Sequence, residues 1–87
     1  FPNYPNPFNC ETVINFHVPR YERIVIEIFN IDGELLSRPV NDYFHPGHYN
    51  VRWRGRNSFG VSVPSGIYFY RLQTSYSSIT RRMIYLK

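Results

Sequence analysis

From Glu11 onward the chain alternates apolar and polar residues with a period of two, the repeat of a half-buried β-strand. Thr12, Ile14, Phe16 and Val18 share one face, Glu11, Val13, Asn15 and His17 the other, and Pro19-Arg20 ends the run. Arg23 to Phe29 places Ile24, Ile26 and Ile28 together, and Asp32-Gly33 follows as a tight-turn signal. Glu34 to Arg38 reads as a short strand with Leu35 or Leu36 inward, and Pro39 to Pro46 as irregular chain. His48 to Trp53 alternates again, with Tyr49, Val51 and Trp53 on one side. Gly55 to Gly60 reads as a polar loop, and Val61 to Val63 as a short edge strand stopped by Pro64. Ile67 to Gln73 is apolar on both faces, which predicts a central strand. A turn at Ser75 to Ser78 then leads into a last strand, Ile79 to Leu86, with Ile84 and Leu86 opposite Ile79, Met83 and Tyr85.

About seven short strands at roughly ten-residue spacing, with no helical period, predict an all-β, immunoglobulin-like β-sandwich of antiparallel strands. Composition supports this. The 87 residues hold eight Tyr, seven Phe and one Trp, no alanine and four leucines, so β formers outweigh helix formers. A chain of this size buries only about 60–65% of its unfolded surface. Its aromatics must therefore make an efficient core, with Trp53 at its centre.

The opening Phe1-Pro2-Asn3-Tyr4-Pro5-Asn6-Pro7-Phe8-Asn9 does not fit this alternation. Each proline fixes φ and lacks a donor, and the residue before it is pushed toward extended backbone. Residues 1–10 are expected to form a stiff, polyproline-like strap leading into a sandwich at 11–87. Its aromatics Phe1, Tyr4 and Phe8 are expected to pin it, with Phe8 packed on the sandwich and Asn6 or Asn9 bonding backbone across it. A chain opening on such a strap, with no initiator Met or signal peptide, reads as a piece of a longer protein.

Formal net charge is +4, and nine of the ten basic residues are Arg, the exception being Lys87. Arg52, Arg54 and Arg56 are candidates for an anion-binding stripe, with a surface glycan favoured over nucleic acid. The simpler reading is a solvated sheet face opposite Trp53. Candidate chemistry is otherwise sparse. The six carboxylates, Glu11, Glu22, Glu27, Asp32, Glu34 and Asp42, form no pairing motif, and Asp32 reads as a turn residue. His45-Pro46-Gly47-His48 reads as a turn, without a third ligand for a metal. Cys10 is a single thiol with no base neighbour in sequence. No elbow, phosphate-loop or dinucleotide motif occurs. The expectation is a non-enzyme without metal or cofactor. The apolar runs are too short to span a membrane.

Several blocks together resemble the type IX (Por) secretion system C-terminal sorting domains, type A. Tyr4-Pro5-Asn6-Pro7-Phe8-Asn9 resembles the family's opening, and Thr12 to Pro19 its first strand and terminating proline. Ile28-Phe29-Asn30 with Gly33 resembles its turn, and Gly47-x-Tyr49-x-Val51-x-Trp53-x-Gly55 its Gly-to-Trp strand. Ser65-Gly66-Ile67-Tyr68-Phe69-Tyr70-Arg71-Leu72 and the ending Arg82-Met83-Ile84-Tyr85-Leu86-Lys87 match in order. The immunoglobulin-like domain of the flagellar hook-capping protein is similar but does not share the strap. Three positions depart from the pattern. Cys10 stands for a proline, and Arg54 and Asn57 stand for aspartates, which puts any capping or cation role of those aspartates in doubt here.

The resemblance implies a non-catalytic sorting and anchoring module that directs a larger secreted protein across the outer membrane to the surface of a Gram-negative bacterium. It implies as partners the secretion translocon, surface sortase components and anionic lipopolysaccharide. The candidate recognition residues are Arg81, Arg82, Met83, Ile84, Tyr85, Leu86 and Lys87, with the strap Tyr4, Pro5, Asn6, Pro7, Phe8 and Asn9. The alternatives are a self-assembly or subunit-interaction module of an extracellular filament or hook-cap-like protein, where neighbouring subunits are the partners, and a glycan-binding module.

Overall fold

The computed structural model describes residues 3–87; Phe1, expected to help pin the strap, and Pro2 lie outside them. Six strands form: β1 (Thr12–Val18), β2 (Glu22–Asn30), β3 (Leu35–Phe44), β4 (Gly47–Trp53), β5 (Gly66–Gln73) and β6 (Ser78–Tyr85). No helix occurs among the described residues. β1 pairs with β4 in a two-stranded antiparallel sheet, and β3-β2-β5-β6 form a four-stranded antiparallel sheet.

Alternation fixes which faces meet. Ile14, Phe16 and Val18 of β1 and Trp53 of β4 are buried against Ile24, Ile26 and Ile28 of β2, Tyr68 and Tyr70 of β5, and Met83 and Tyr85 of β6. Burying one such large apolar side chain is worth about 1.5–3 kcal/mol. β5 lies between β2 and β6, as its apolar sequence predicts. Only one of its faces is sealed, however: Tyr68 and Tyr70 are buried, Phe69 is half-buried and Ile67 is exposed on the other side.

Two expectations are corrected. The segment expected to be irregular at Pro39 to Pro46 instead extends β3 as far as Phe44. β3 is an edge strand, so the missing N–H of Pro39 breaks no second ladder. Ile26 and Ile28, two residues apart, face Val40 and Ser37, three apart. The extra residue is absorbed at Arg38-Pro39 as a bulge. Conversely, Val61 to Val63 is no seventh strand. The Gly55–Val63 loop closes on itself through an isolated Arg56–Ser62 bridge and the Val63 N–H to Gly55 carbonyl bond of 2.9 Å. Val63 is buried there as a core residue.

Side chains shape the turns. The Asn30 carboxamide accepts from the N–H groups of Asp32 (3.0 Å) and Glu34 (2.9 Å), so it, with Gly33 at φ +82°, builds the β2–β3 turn. Asn57 accepts from the N–H groups of Phe59 and Val61, both at 3.0 Å. It therefore caps its loop as an aspartate would, so the capping role is kept at this position.

Gly55 has the tightest requirement. At φ +69°, a Cβ there would meet the Tyr85 ring at 2.5 Å. Gly33 and Gly60 also have positive φ but face open space. In urea denaturation Gly55→Ala should therefore cost about 2–5 kcal/mol, strain plus overpacking. Gly33→Ala and Gly60→Ala should cost about 1–2 kcal/mol each. Equal losses at all three would show that Tyr85 moves aside without cost. Trp53→Ala should cost about 3–5 kcal/mol, and a loss below about 1 kcal/mol would show that Trp53 does not organise this core.

Candidate recognition surface

The strap and the end of β6 are built together. Tyr4 exchanges two backbone hydrogen bonds with Val13 of β1, at 2.9 and 2.8 Å. Four residues later the chain has crossed to the other sheet: Phe8 N–H donates to the Ile84 carbonyl (3.0 Å), and Leu86 N–H donates to the Phe8 carbonyl (2.8 Å). Between these points Asn6 acts as a piece of strand. Its Nδ2 donates to the Arg82 carbonyl (3.2 Å), and its Oδ1 accepts from the Ile84 N–H (2.9 Å). A side-chain amide carries the same donor and acceptor as a peptide unit, so it can continue a ladder where proline cannot. On the β1 side, Thr12 Oγ1 donates to the Pro5 carbonyl (2.8 Å) and accepts from Asn3 Nδ2 (2.9 Å).

The strap is not the uniform extended rod expected from its prolines. It bends at residues 5–7, and the Tyr4–Pro5 and Asn6–Pro7 peptide bonds are both cis. Nor do all its aromatics pin it. Tyr4 is 76% exposed and held through its backbone, whereas Phe8 is 3% exposed. Phe8 stacks on Tyr85 at 5.0 Å between centroids and meets Trp53 edge-on at 5.7 Å. Trp53 also meets Tyr68 edge-on at 5.3 Å and donates from Nε1 to the Arg56 carbonyl at 2.8 Å. Each such ring pair adds about 0.5–1.5 kcal/mol to the area buried.

The seven residues from Arg81 to Lys87 divide by strand parity. Met83 and Tyr85 are core residues. Arg81 and Arg82 lie opposite Tyr70 and Phe69 respectively, on opposite faces, and both are exposed. Ile84 is half-buried, Leu86 and Lys87 are exposed, and the Lys87 N–H donates to Ser65 Oγ at 2.9 Å. What this end presents outward is therefore Arg81, Arg82, Leu86 and Lys87.

The candidate Arg52-Arg54-Arg56 stripe is broken up. Arg52 and Arg54 both bond the Glu11 carboxylate, Arg54 at 3.3 Å, and Arg56 donates to the Gly60 carbonyl at 2.9 Å. The hydrogen bond from Arg52 and then that from Arg54 hold the Glu11 carboxyl below its ordinary range. On the outer face of the four-stranded sheet, Glu27 takes Arg71 at 2.7 Å and Arg38 at 2.8 Å. Arg71 lies over the Phe29 ring at 5.0 Å. Glu27 is buried, and the hydrogen bond from Arg71, reinforced by Arg38, holds its carboxyl low against the cost of burial.

No group of three or more His, Cys, Asp or Glu side chains that could hold a metal occurs among the described residues, and Cys10 is exposed. No helix there is long and apolar enough to cross a membrane. One cluster escaped sequence reasoning. His17 stacks on His48, with 4.6 Å between centroids and 28° between planes. Only the β1–β4 register joins these residues, and no local motif signals it. The sequence-adjacent His45 instead lies 4.9 Å from Tyr21.

A small all-β module, closed by a strap and ending on a half-exposed strand, is the class that fold and surface define. The chain belongs to the family described as the secretion system C-terminal sorting domain, whose profile matches residues 3–86. It is a type IX secretion sorting domain, and membership implies export to the cell surface or outer membrane of a Gram-negative bacterium. The family is a sorting signal rather than a catalyst.

Solved structures of similar fold include dimeric latent PorU from Porphyromonas gingivalis, at 19% identity and TM-score 0.78, covering 97% of this chain and 9% of that one. PorZ, a surface component of the type-IX secretion system of the same organism, gives 22% identity and TM-score 0.68, covering 98% and 11%. FlgD from P. aeruginosa gives 21% identity and TM-score 0.63, covering 85% and 57%. The chain thus spans about a tenth of the PorU and PorZ chains. Among curated proteins no match is found.

Asn6→Ala removes two hydrogen bonds to β6 and should cost about 1–2 kcal/mol in denaturant unfolding. Asn9→Ala, at an exposed position, should cost less than about 0.5 kcal/mol. Glu27 carries a pH prediction. Its folded pKa lies below the ordinary value of 4.5. Its stabilisation is therefore fully present above that value and is lost as pH falls through the folded pKa. Glu27→Gln should cost about 1–3 kcal/mol at pH 7, less than a fully buried pair because both arginines are partly exposed. It should also flatten the acid limb of stability, and an acid limb identical to that of the parent chain would exclude the pairing.

Proposed function

We propose that this chain is the sorting and anchoring module of a larger secreted protein, an immunoglobulin-like sandwich whose terminal strand and strap are read by the type IX translocon. Residues 1–10 act as the strap that leads into the sandwich at 11–87, and a surface sortase is the second partner. The observation that carries the reading is the family match over residues 3–86, in a chain whose strap is hydrogen-bonded to the strand that ends the domain. A folded address needs both a fixed shape and an accessible surface. Phe8, Met83 and Tyr85 are buried, while Arg81, Arg82, Leu86 and Lys87 are exposed beside them. β6 is also an edge strand, open to strand addition upstream of the Asn6 contact. Anionic lipopolysaccharide is a chemically compatible neighbour for Arg81 and Arg82.

A second reading, a subunit-interaction module of an extracellular assembly, draws support from the likeness to FlgD. In that case the same edge of β6 engages a neighbouring copy. Self-association of the purified chain in sedimentation, abolished by substitutions in Ser78 to Arg82, would favour this reading.

The test fuses the chain to a reporter in a type IX-competent host. Removing Met83 to Lys87 should abolish surface delivery, but it also removes core residues. Arg81→Glu with Arg82→Glu and Leu86→Ser alters exposed positions only. This variant should fold normally by circular dichroism yet lower surface delivery about tenfold, the equivalent of roughly 1.4 kcal/mol of recognition. Undiminished delivery by the folded variant would overturn the assignment of this end as the address.

A further inference from the structure

We propose that His17 and His48 form a two-nitrogen chelate for a divalent first-row transition ion on the outer face of the β1–β4 sheet. The two residues stand directly opposite in the antiparallel register, where facing Cβ atoms lie about 4.5–5.5 Å apart. Both rings therefore rise from the same face, and their centroids are 4.6 Å apart at an interplanar angle of 28°. A metal takes an imidazole nitrogen at about 2.0–2.1 Å, so two nitrogens must come within about 4 Å of one another. Turning both exposed rings about χ1 and χ2 from this stacked arrangement brings their in-plane nitrogens to converge on one ion, with the backbone register unchanged.

The scaffold beneath is rigid. Phe16 and Val18, flanking His17, are buried in the core. The turn before His48 is fixed by the Tyr49 hydroxyl donating to the His45 carbonyl at 2.8 Å. The backbone that carries both rings is thus ordered before an ion arrives, and the second imidazole acts as an intramolecular ligand at high effective concentration. Both side chains are exposed, which leaves the remaining coordination positions to water. The chain's net charge of +4 opposes cations in general, but the next facing pair on this surface, Asn15 and Asn50, is uncharged. Beyond it, Arg52 is engaged by Glu11. Imidazole pairs suit copper, nickel and zinc, and affinity follows the usual order with Cu2+ highest. Mg2+ and Ca2+, which take oxygen ligands, do not fit. An ion bridging β1 and β4 binds only the paired register, so it acts as a clip on the smaller sheet.

The test titrates the chain, carrying Cys10→Ser to remove its exposed thiol, with Cu2+, Ni2+, Zn2+ and Mg2+ by calorimetry. One Cu2+, Ni2+ or Zn2+ per chain should bind, Cu2+ most tightly, with no Mg2+ response. His17→Asn and His48→Asn should each weaken binding by about tenfold or more, whereas His45→Asn should leave it unchanged. Circular dichroism checks that each variant is folded. In the unsubstituted histidine background, trace Cu2+ should broaden the ring resonances of His17 and His48 together and spare those of His45. Preferential broadening of His45, an affinity indifferent to His17→Asn, or no binding at millimolar ion would overturn the proposal.

Discussion

A two-stranded sheet is at best marginal in water, and half of this sandwich is one. β1 and β4 hold together because Ile14, Phe16, Val18 and Trp53 are buried against the four-stranded sheet. The contact is concentrated in one aromatic cluster. Trp53 comes from the small sheet, Tyr68 and Tyr85 from the large one, and Phe8 from the strap. Gly55 lets the cluster close, because only a residue without Cβ can lie under the Tyr85 ring. The strap thus completes the core, and its hydrogen bonds to β1 on one side and β6 on the other tie the two sheets at their margins.

That arrangement also deals with exposed edges, which every open sheet must manage. β3 carries Pro39 and two register irregularities, poor features for accepting another strand. The end of β6 is covered by Phe8 and the Asn6 carboxamide. Its upstream part, Ser78 to Arg82, stays exposed. In the proposed sorting role, stability and address share one strand: Met83 and Tyr85 hold it while their neighbours face the partner. The basic excess of the sequence is less available than its count implies. Glu11 and Glu27 each engage two arginines, which draws the outward positive character toward places such as Arg81 and Arg82.

The period-two pattern by itself determined the all-β class, most strand positions and most inward residues, because burial of one face writes alternation directly into sequence. Parity on its strand also marked Trp53 as core, and the proline-aromatic spacing outside that pattern marked Phe8 as the strap's anchor. Block order placed the chain in its family. Local reading failed where a residue's role depends on what lies across from it. Pro39 is tolerated because β3 is an edge, and Val61 to Val63 folds back as a loop because its partners are its own neighbours. Tertiary structure alone decided that Asn6 completes the β6 ladder, that Glu27 is buried between two arginines, that Tyr85 rests on Gly55 and that His17 meets His48. Each is a contact between residues far apart in the chain, and such contacts are set by register and sheet packing, which no local window of sequence encodes.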